Sequence, residues 1–231
     1  MTYDWLAGLV VIASVVALTK LGKWLAFKHP DLERMRLLNI EKDAPKRKKS
    51  RYPPVMRGSA KVGMYMNATF FFVLVPFFVT LSNVSFWRAL LDTIAILFVF
   101  DFFYYVTHRF IFHGPLLYKV HAVHHQAHKP SHIDAFYVHP LETGIGLLLF
   151  MGSILGLGAA FGPFHAGSVV VATVIFTQVN TINHTYVDLP HFPFKTLDYI
   201  TTKHHIHHEN MNMGNYATLT MVYDYMFGTL D

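Results

Sequence analysis

Apolar residues fall along this chain in long unbroken blocks, not at the spacing of a half-buried helix or strand. A helix that crosses a bilayer needs about 20 mostly apolar residues. Trp5 to Leu21 carries no charge before Lys20, whose long side chain can reach the interface. Met64 to Leu81 is uncharged and interrupted only by Pro76. Trp87 to Thr107 is apolar apart from Asp92, Arg88 and Asp101. Thr143 to Asn183 runs for 41 residues with His165 as its one ionisable side chain. Gly162-Pro163 and Gly167 break that stretch, which predicts a hairpin of helices near 143–161 and 166–184. The N-terminal block lacks a basic leader, so it reads as a retained helix and not a cleaved signal. The pattern predicts an all-α integral membrane protein of four to five transmembrane or re-entrant helices with a histidine-rich helical cap. It divides into residues 1–62, a transmembrane helix and a basic loop, and residues 63–231, which hold the remaining helices and the chemistry.

Charge sets the expected orientation. Lys20 to Lys61 holds 13 of the 19 Lys and Arg residues against 4 acids. Basic residues beside membrane helices stay on the cytoplasmic side. The run Lys46-Arg47-Lys48-Lys49 is therefore read as a topology and headgroup determinant, with no nucleic-acid partner. Helix counting then brings His108–His139, His184 and His204–His208 to the same cytoplasmic face.

Composition adds the chemistry. Only 14% of residues are charged, against about 25% in soluble domains. Cysteine is absent, which excludes disulfides, thiolate metal sites and thiol nucleophiles. Of 16 histidines, all but His29 lie between His108 and His208. His121-Ala-Val-His124-His125 places three imidazoles at i, i+3 and i+4, on one helix face, and His128 continues that stripe. His204-His205-Ile206-His207-His208 repeats the pattern as His204, His207 and His208, although helical angle equally allows His204, His205 and His208. His108 and His113 stand roughly 140° apart on a regular helix, so they converge only if the helix end is distorted. Asn180 and His184 form a further i, i+4 pair. Lone His29, His165 and His191 read as ordinary surface or hydrogen-bonded residues, and so do His132 and His139. Nine neutral imidazoles gathered together need electrophiles, and they exceed what one octahedral ion can hold, so two metals are expected. Asp101, about 10 Å below His108 along its helix, is a membrane carboxylate and a candidate to orient an imidazole or pair with Arg109.

These motifs resemble the fatty acid hydroxylase and sterol desaturase superfamily of integral-membrane di-iron oxygenases. The similarity extends to Asp101 through Arg109, to His139-Pro140-Leu141-Glu142, to Asn215-Tyr216 and to Tyr223 through Thr229. The resemblance implies metal ligands at His108, His113, His121, His124, His125, His184, His204, His207 and His208. It makes His205 a neighbour of the site. Asn180 stands where fatty acid 2-hydroxylase-like members have a histidine, and is similar to the asparagine of acyl-CoA desaturases that acts on a metal through water. Asp101 and Asn180 are thus the candidate catalytic residues beside the ligands. The implied cofactors are two iron ions, replaceable by zinc in recombinant protein, with O2 as cosubstrate. The implied reaction is hydroxylation of a lipid C–H bond, of fatty-acyl, sphingolipid or sterol type, with desaturation as the alternative outcome. Electrons would come from an external ferredoxin- or cytochrome-type donor, since 231 residues contain no haem or flavin motif. The implied location is the bacterial inner membrane or the endoplasmic reticulum, with the site facing the cytoplasm. A divalent-metal transporter would need ligands near the bilayer midplane, and a haem carrier would need isolated facing histidines. The clustering at helix ends fits neither.

Overall fold

The computed structural model describes residues 2–231. Two helices precede the first turn back into the apolar bundle: α1 (Trp5–Ala26) and α2 (Pro30–Arg47). Helix α3 (Tyr52–Thr69) continues through a π turn at Phe70–Leu74 and a 3-10 turn at Val75–Phe77. A two-residue strand β1 (Val79–Thr80) leads to α4 (Phe86–Thr107), which ends in a second π turn, His108–Phe112. Short α5 (Tyr118–His124) and a 3-10 turn at His132–Phe136 follow. Helix α6 (Pro140–Phe161), strand β2 (Phe164–His165) and α7 (Ala166–Ile182) make the hairpin. Helices α8 (Lys195–Glu209) and α9 (Val222–Met226) close the chain.

Four helical segments are long and apolar enough to cross a membrane: Trp5–Ala26, Tyr52–Phe77, Phe86–Phe112 and Pro140–Phe161. Helix α7 is apolar but shorter. The hairpin breaks where Gly162 adopts φ 92°, a conformation open to glycine, with Pro163 next. Two features depart from expectation. The basic segment is not a loop, because Pro30–Arg47 and the start of α3 are helical. The second span starts at Tyr52 instead of Met64, so the division at 62/63 falls inside α3. It ends in π and 3-10 turns because Pro76 offers no N–H and cannot continue a regular ladder.

Lipid tails are as apolar as leucine, so close packing and not water exclusion holds such helices together. Phe150 stacks on Phe176 at 4.1 Å and Phe100 meets Phe176 edge-on at 4.9 Å, which joins α4, α6 and α7. Gly8 lets α1 close on Pro76, since a Cβ there would lie 2.7 Å from the proline ring. At that end β1 and β2 pair in parallel, Val79 with Phe164 and Thr80 with His165. The Asp4 N–H also donates to the Pro76 carbonyl there, at 2.8 Å. The end of α4, the start of α6 and the end of α7 all lie at the opposite end of the bundle, where α2, α5 and α8 gather.

This arrangement makes a topological prediction. Single cysteines at the exposed positions Ser50, His128 and Asn212 should react with an impermeant thiol reagent from one side of the membrane, and Ser82→Cys only from the other. Labelling of His128→Cys and Asn212→Cys from opposite sides would contradict the bundle.

Candidate metal centre

The π turn at the end of α4 answers the five-residue spacing of His108 and His113. In it the His113 N–H bonds the His108 carbonyl at 3.0 Å, which opens the helix by one residue and brings the two rings to 5.0 Å. Each His-x2-His-His motif is then shared between two groups of imidazoles. His108, His113, His121, His125 and His207 form one group, and His124, His184, His204 and His208 form the other. Within each group the potential ligand atoms all lie within 4.8 Å of one another. The three imidazoles of a motif therefore do not point one way. The i, i+4 pair His121/His125 serves the first group while His124 crosses to the second, and the pair His204/His208 serves the second while His207 crosses to the first. His205 joins neither group, so the ambiguity in the last motif resolves to His204, His207 and His208. His128 is exposed, outside both.

Hydrogen bonds to the other ring nitrogen fix what these groups can do. Nδ1 of His108 donates to the Tyr216 carbonyl at 2.6 Å, His113 to Met211 at 2.7 Å and His207 to Gly214 at 2.7 Å. His184 donates to the Asn180 carbonyl at 2.8 Å and His124 to Tyr137 at 3.3 Å. His121 donates to the Glu142 carboxylate at 2.8 Å. With the proton on Nδ1, Nε2 of a neutral imidazole carries only a lone pair. Yet among rings so fixed, Nε2 atoms face each other at 3.0 Å for His108–His121, 3.1 Å for His108–His207, 3.2 Å for His113–His207 and 2.9 Å for His124–His184. Such contacts are repulsive without a shared cation. A separation of about 3 Å is also the edge formed by two nitrogens about 2.1 Å from one ion at right angles. The residues therefore fit two metal ions. Burial keeps the imidazoles neutral and ready to bind, holding His113 down at about 4 and His121 at about 3, and lowering His124, His125, His184, His204, His207 and His208.

The loop between α8 and α9 carries the carbonyls for His108, His113 and His207, and buried carboxylates hold it. Asp101 accepts from the backbone N–H groups of Thr218, Leu219 and Thr220 at 3.1, 2.9 and 3.1 Å and from the Thr220 hydroxyl at 2.7 Å. None of its partners is a histidine. Arg109 instead donates to the Tyr105 hydroxyl at 2.7 Å. Asp224 accepts from the N–H groups of Tyr216 and Ala217, each at 2.8 Å. Asn180 donates to the Phe176 carbonyl and accepts from the Thr218 hydroxyl, both at 2.9 Å, so its side chain also braces this loop. Sequence reasoning noted Glu142, Tyr216 and Asp224 only within similar stretches, and only contacts reveal what each does. Of the solitary histidines, His139 caps α6 by accepting from the Leu141 N–H, and His165 caps α7 by accepting from Gly167, each at 3.1 Å.

Comparison with known proteins places this geometry. The model of the fatty acid hydroxylase family matches residues 93–229. The chain belongs to the fatty acid hydroxylase family. That match covers every histidine of both groups. A putative methylsterol monooxygenase of Dictyostelium discoideum is 34% identical over 150 residues, 62% of this chain and 52% of its own length. Methylsterol monooxygenase 1 of Rattus norvegicus is 32% identical over 131 residues, 56% of this chain and 43% of its own. A very-long-chain aldehyde decarbonylase of Oryza sativa subsp. indica is 29% identical over 152 residues, 62% of this chain and 54% of its own. The chain thus spans about half the length of the curated relatives it matches. No solved structure matches it.

Two predictions follow from this candidate centre. His207→Ala and His208→Ala should each lower metal content measured by elemental analysis, Glu142→Gln should weaken metal affinity by about 10- to 100-fold, and His165→Ala should leave both unchanged. Equal losses for His165→Ala and His207→Ala would contradict the two groups. The second concerns pH. Folded imidazoles pushed down to about 3 and 4 refuse protons that the unfolded chain takes up near 6.5. The unfolded state then binds more protons, so stability falls as pH drops below about 6.5. The melting temperature of metal-free protein should therefore decrease between pH 7 and pH 5. A flat profile would contradict buried neutral histidines.

Proposed function

We propose that this chain is a membrane di-iron oxygenase that hydroxylates a C–H bond of a lipid, using O2 and two electrons from a separate donor. The carrying observation is the reciprocal sharing of α5 and α8 between a five-histidine and a four-histidine group, which supports two adjacent metal sites. His108, His113, His121, His125 and His207 would hold one ion, and His124, His184, His204 and His208 the other. Iron in these sites would supply the O2-activating chemistry, and zinc would occupy them in recombinant protein. The chain's own part is to orient imidazoles, through Glu142 and the Met211–Tyr216 carbonyls, and to present the substrate. Asp101 and Asn180 act in this reading as positioning residues, through the loop they brace. Histidine at the membrane end of the bundle and apolar walls below it suit a substrate that arrives from the bilayer. An apolar groove of 420 Å³ lies between α4 and α6, lined by Leu148 and Gly156 and by Val99 and Phe103, five to nine residues before His108 on α4. The basic segment Lys20–Lys61 supports a cytoplasmic location for the site, in a bacterial inner membrane or the endoplasmic reticulum. The methylsterol monooxygenases among the relatives favour a sterol-type or other lipid substrate.

The test is lipidomics of cells with and without the protein. Expression should add a lipid heavier by one oxygen, and the His207→Ala variant should abolish it. A product lighter by two hydrogens would assign desaturation instead, and no change in any lipid would refute the oxygenase.

A further inference from the structure

One exposed surface has no part in holding the histidines. Between Asp43 and Asp92 the sequence contains no acid, and none lies between Asp101 and Asp134. The end of α2 and the turn into α3 draw on the first stretch, and the loop after α5 draws on the second. They meet where Lys46 reaches Asp134 and donates to the Lys129 carbonyl at 2.8 Å. Lys46 is thereby neutralised inside the protein, and Arg47 lies 3.6 Å from Asp43. Lys48, Lys49, Arg51 and Lys129 are exposed, and among the described residues none of them forms an ion pair. A concentrated positive field of this kind speeds encounter with an acidic protein.

The same surface lies over a contact route to the metal centre. The Arg51 guanidinium stands over the rings of Tyr52 and Tyr137, at 6.0 and 5.9 Å. Those two buried rings stack at 4.2 Å. The Tyr137 carbonyl accepts from Nδ1 of His124 at 3.3 Å, a histidine of the second group. Headgroup anchoring does not account for this placement. Lys61 lies about 15 Å further along α3 than Arg51, and Arg57 lies between them, so basic residues nearer the apolar span are already available to the headgroups.

We propose that Lys48, Lys49, Arg51 and Lys129 form the docking surface for an acidic one-electron carrier protein, which passes electrons toward His124. The proposal rests on the oxygenase reading and adds the partner's place and charge. Hydroxylation balances as R–H plus O2 plus two electrons and two protons giving R–OH and water. The C–H bond breaks and a C–O bond forms, one oxygen atom leaves as water, and the carrier is oxidised in two successive dockings.

The experiment uses metal-loaded protein in phosphatidylcholine nanodiscs, with a reduced acidic [2Fe–2S] ferredoxin and its reductase as the probe. Binding is measured by titration at low and high salt, and turnover is driven either by the ferredoxin or by dithionite. The variants are Lys48→Glu/Lys49→Glu/Arg51→Glu and, as a milder set, Lys48→Gln/Lys49→Gln/Lys129→Gln. Both should weaken ferredoxin binding and slow ferredoxin-driven turnover by about tenfold or more, and high salt should do the same to the unmodified protein. Metal content and dithionite-driven turnover should not change. Ferredoxin binding and turnover equal to those of the unmodified protein in both variants would overturn the proposal. So would an effect confined to discs containing phosphatidylserine, which would assign the surface to lipid headgroups. Absence of turnover with dithionite in the unmodified protein would instead count against the oxygenase reading, while the binding titration would still test the surface.

Discussion

Bare nitrogen lone pairs, brought to about 3 Å from one another, are the constraint on which the rest of this structure depends. Imidazoles are ordinarily kept apart or bridged by protons. Here burial opposes protonation, and backbone carbonyls occupy the other ring nitrogen of His108, His113 and His207, so neither escape is open to them. A cation would satisfy the arrangement, and two helices each supply histidines to both groups. Binding one ion would then order α5 and α8 for the other. Metal loading would be coupled to local folding for that reason.

The bundle is built to deliver histidines to one end. Helices α4, α6 and α7 pack through Phe100, Phe150 and Phe176, and each ends or begins at the level of the centre. The residues nearest that level then leave regular helix. A π turn at His108–Phe112 re-aims two histidines, and Pro140 starts α6 so that Glu142 meets His121. Helix ends are where backbone groups lack partners, which makes the change of direction inexpensive there.

Buried carboxylates serve the loops more than the metals. Asp101 binds three successive N–H groups of the Thr218–Thr220 segment, Asp224 binds the two before it, and Asp134 accepts from the Ser131 N–H and the Tyr52 hydroxyl. Each charge is satisfied by several donors, the condition under which a buried carboxylate is tolerated. The loops they hold carry the carbonyls that orient His108, His207 and His124.

Sequence alone determined the parts that depend on local spacing. Apolar block length located α1, α4 and the hairpin, and Gly162-Pro163 marked its turn, because bilayer thickness and backbone restriction act on contiguous residues. Histidine spacing likewise identified all nine members of the two groups, and separated them from His29, His165 and His191. Only the tertiary structure decided how those nine divide. Helical periodicity says which side chains share a face, but not which of two neighbouring centres a face addresses, and so His124 and His207 part from their motifs. The same limit applies to Asp101 and Asn180, whose hydrogen bonds run to a loop more than 35 residues away along the chain. Partners at that distance are chosen by packing, and no local pattern records them.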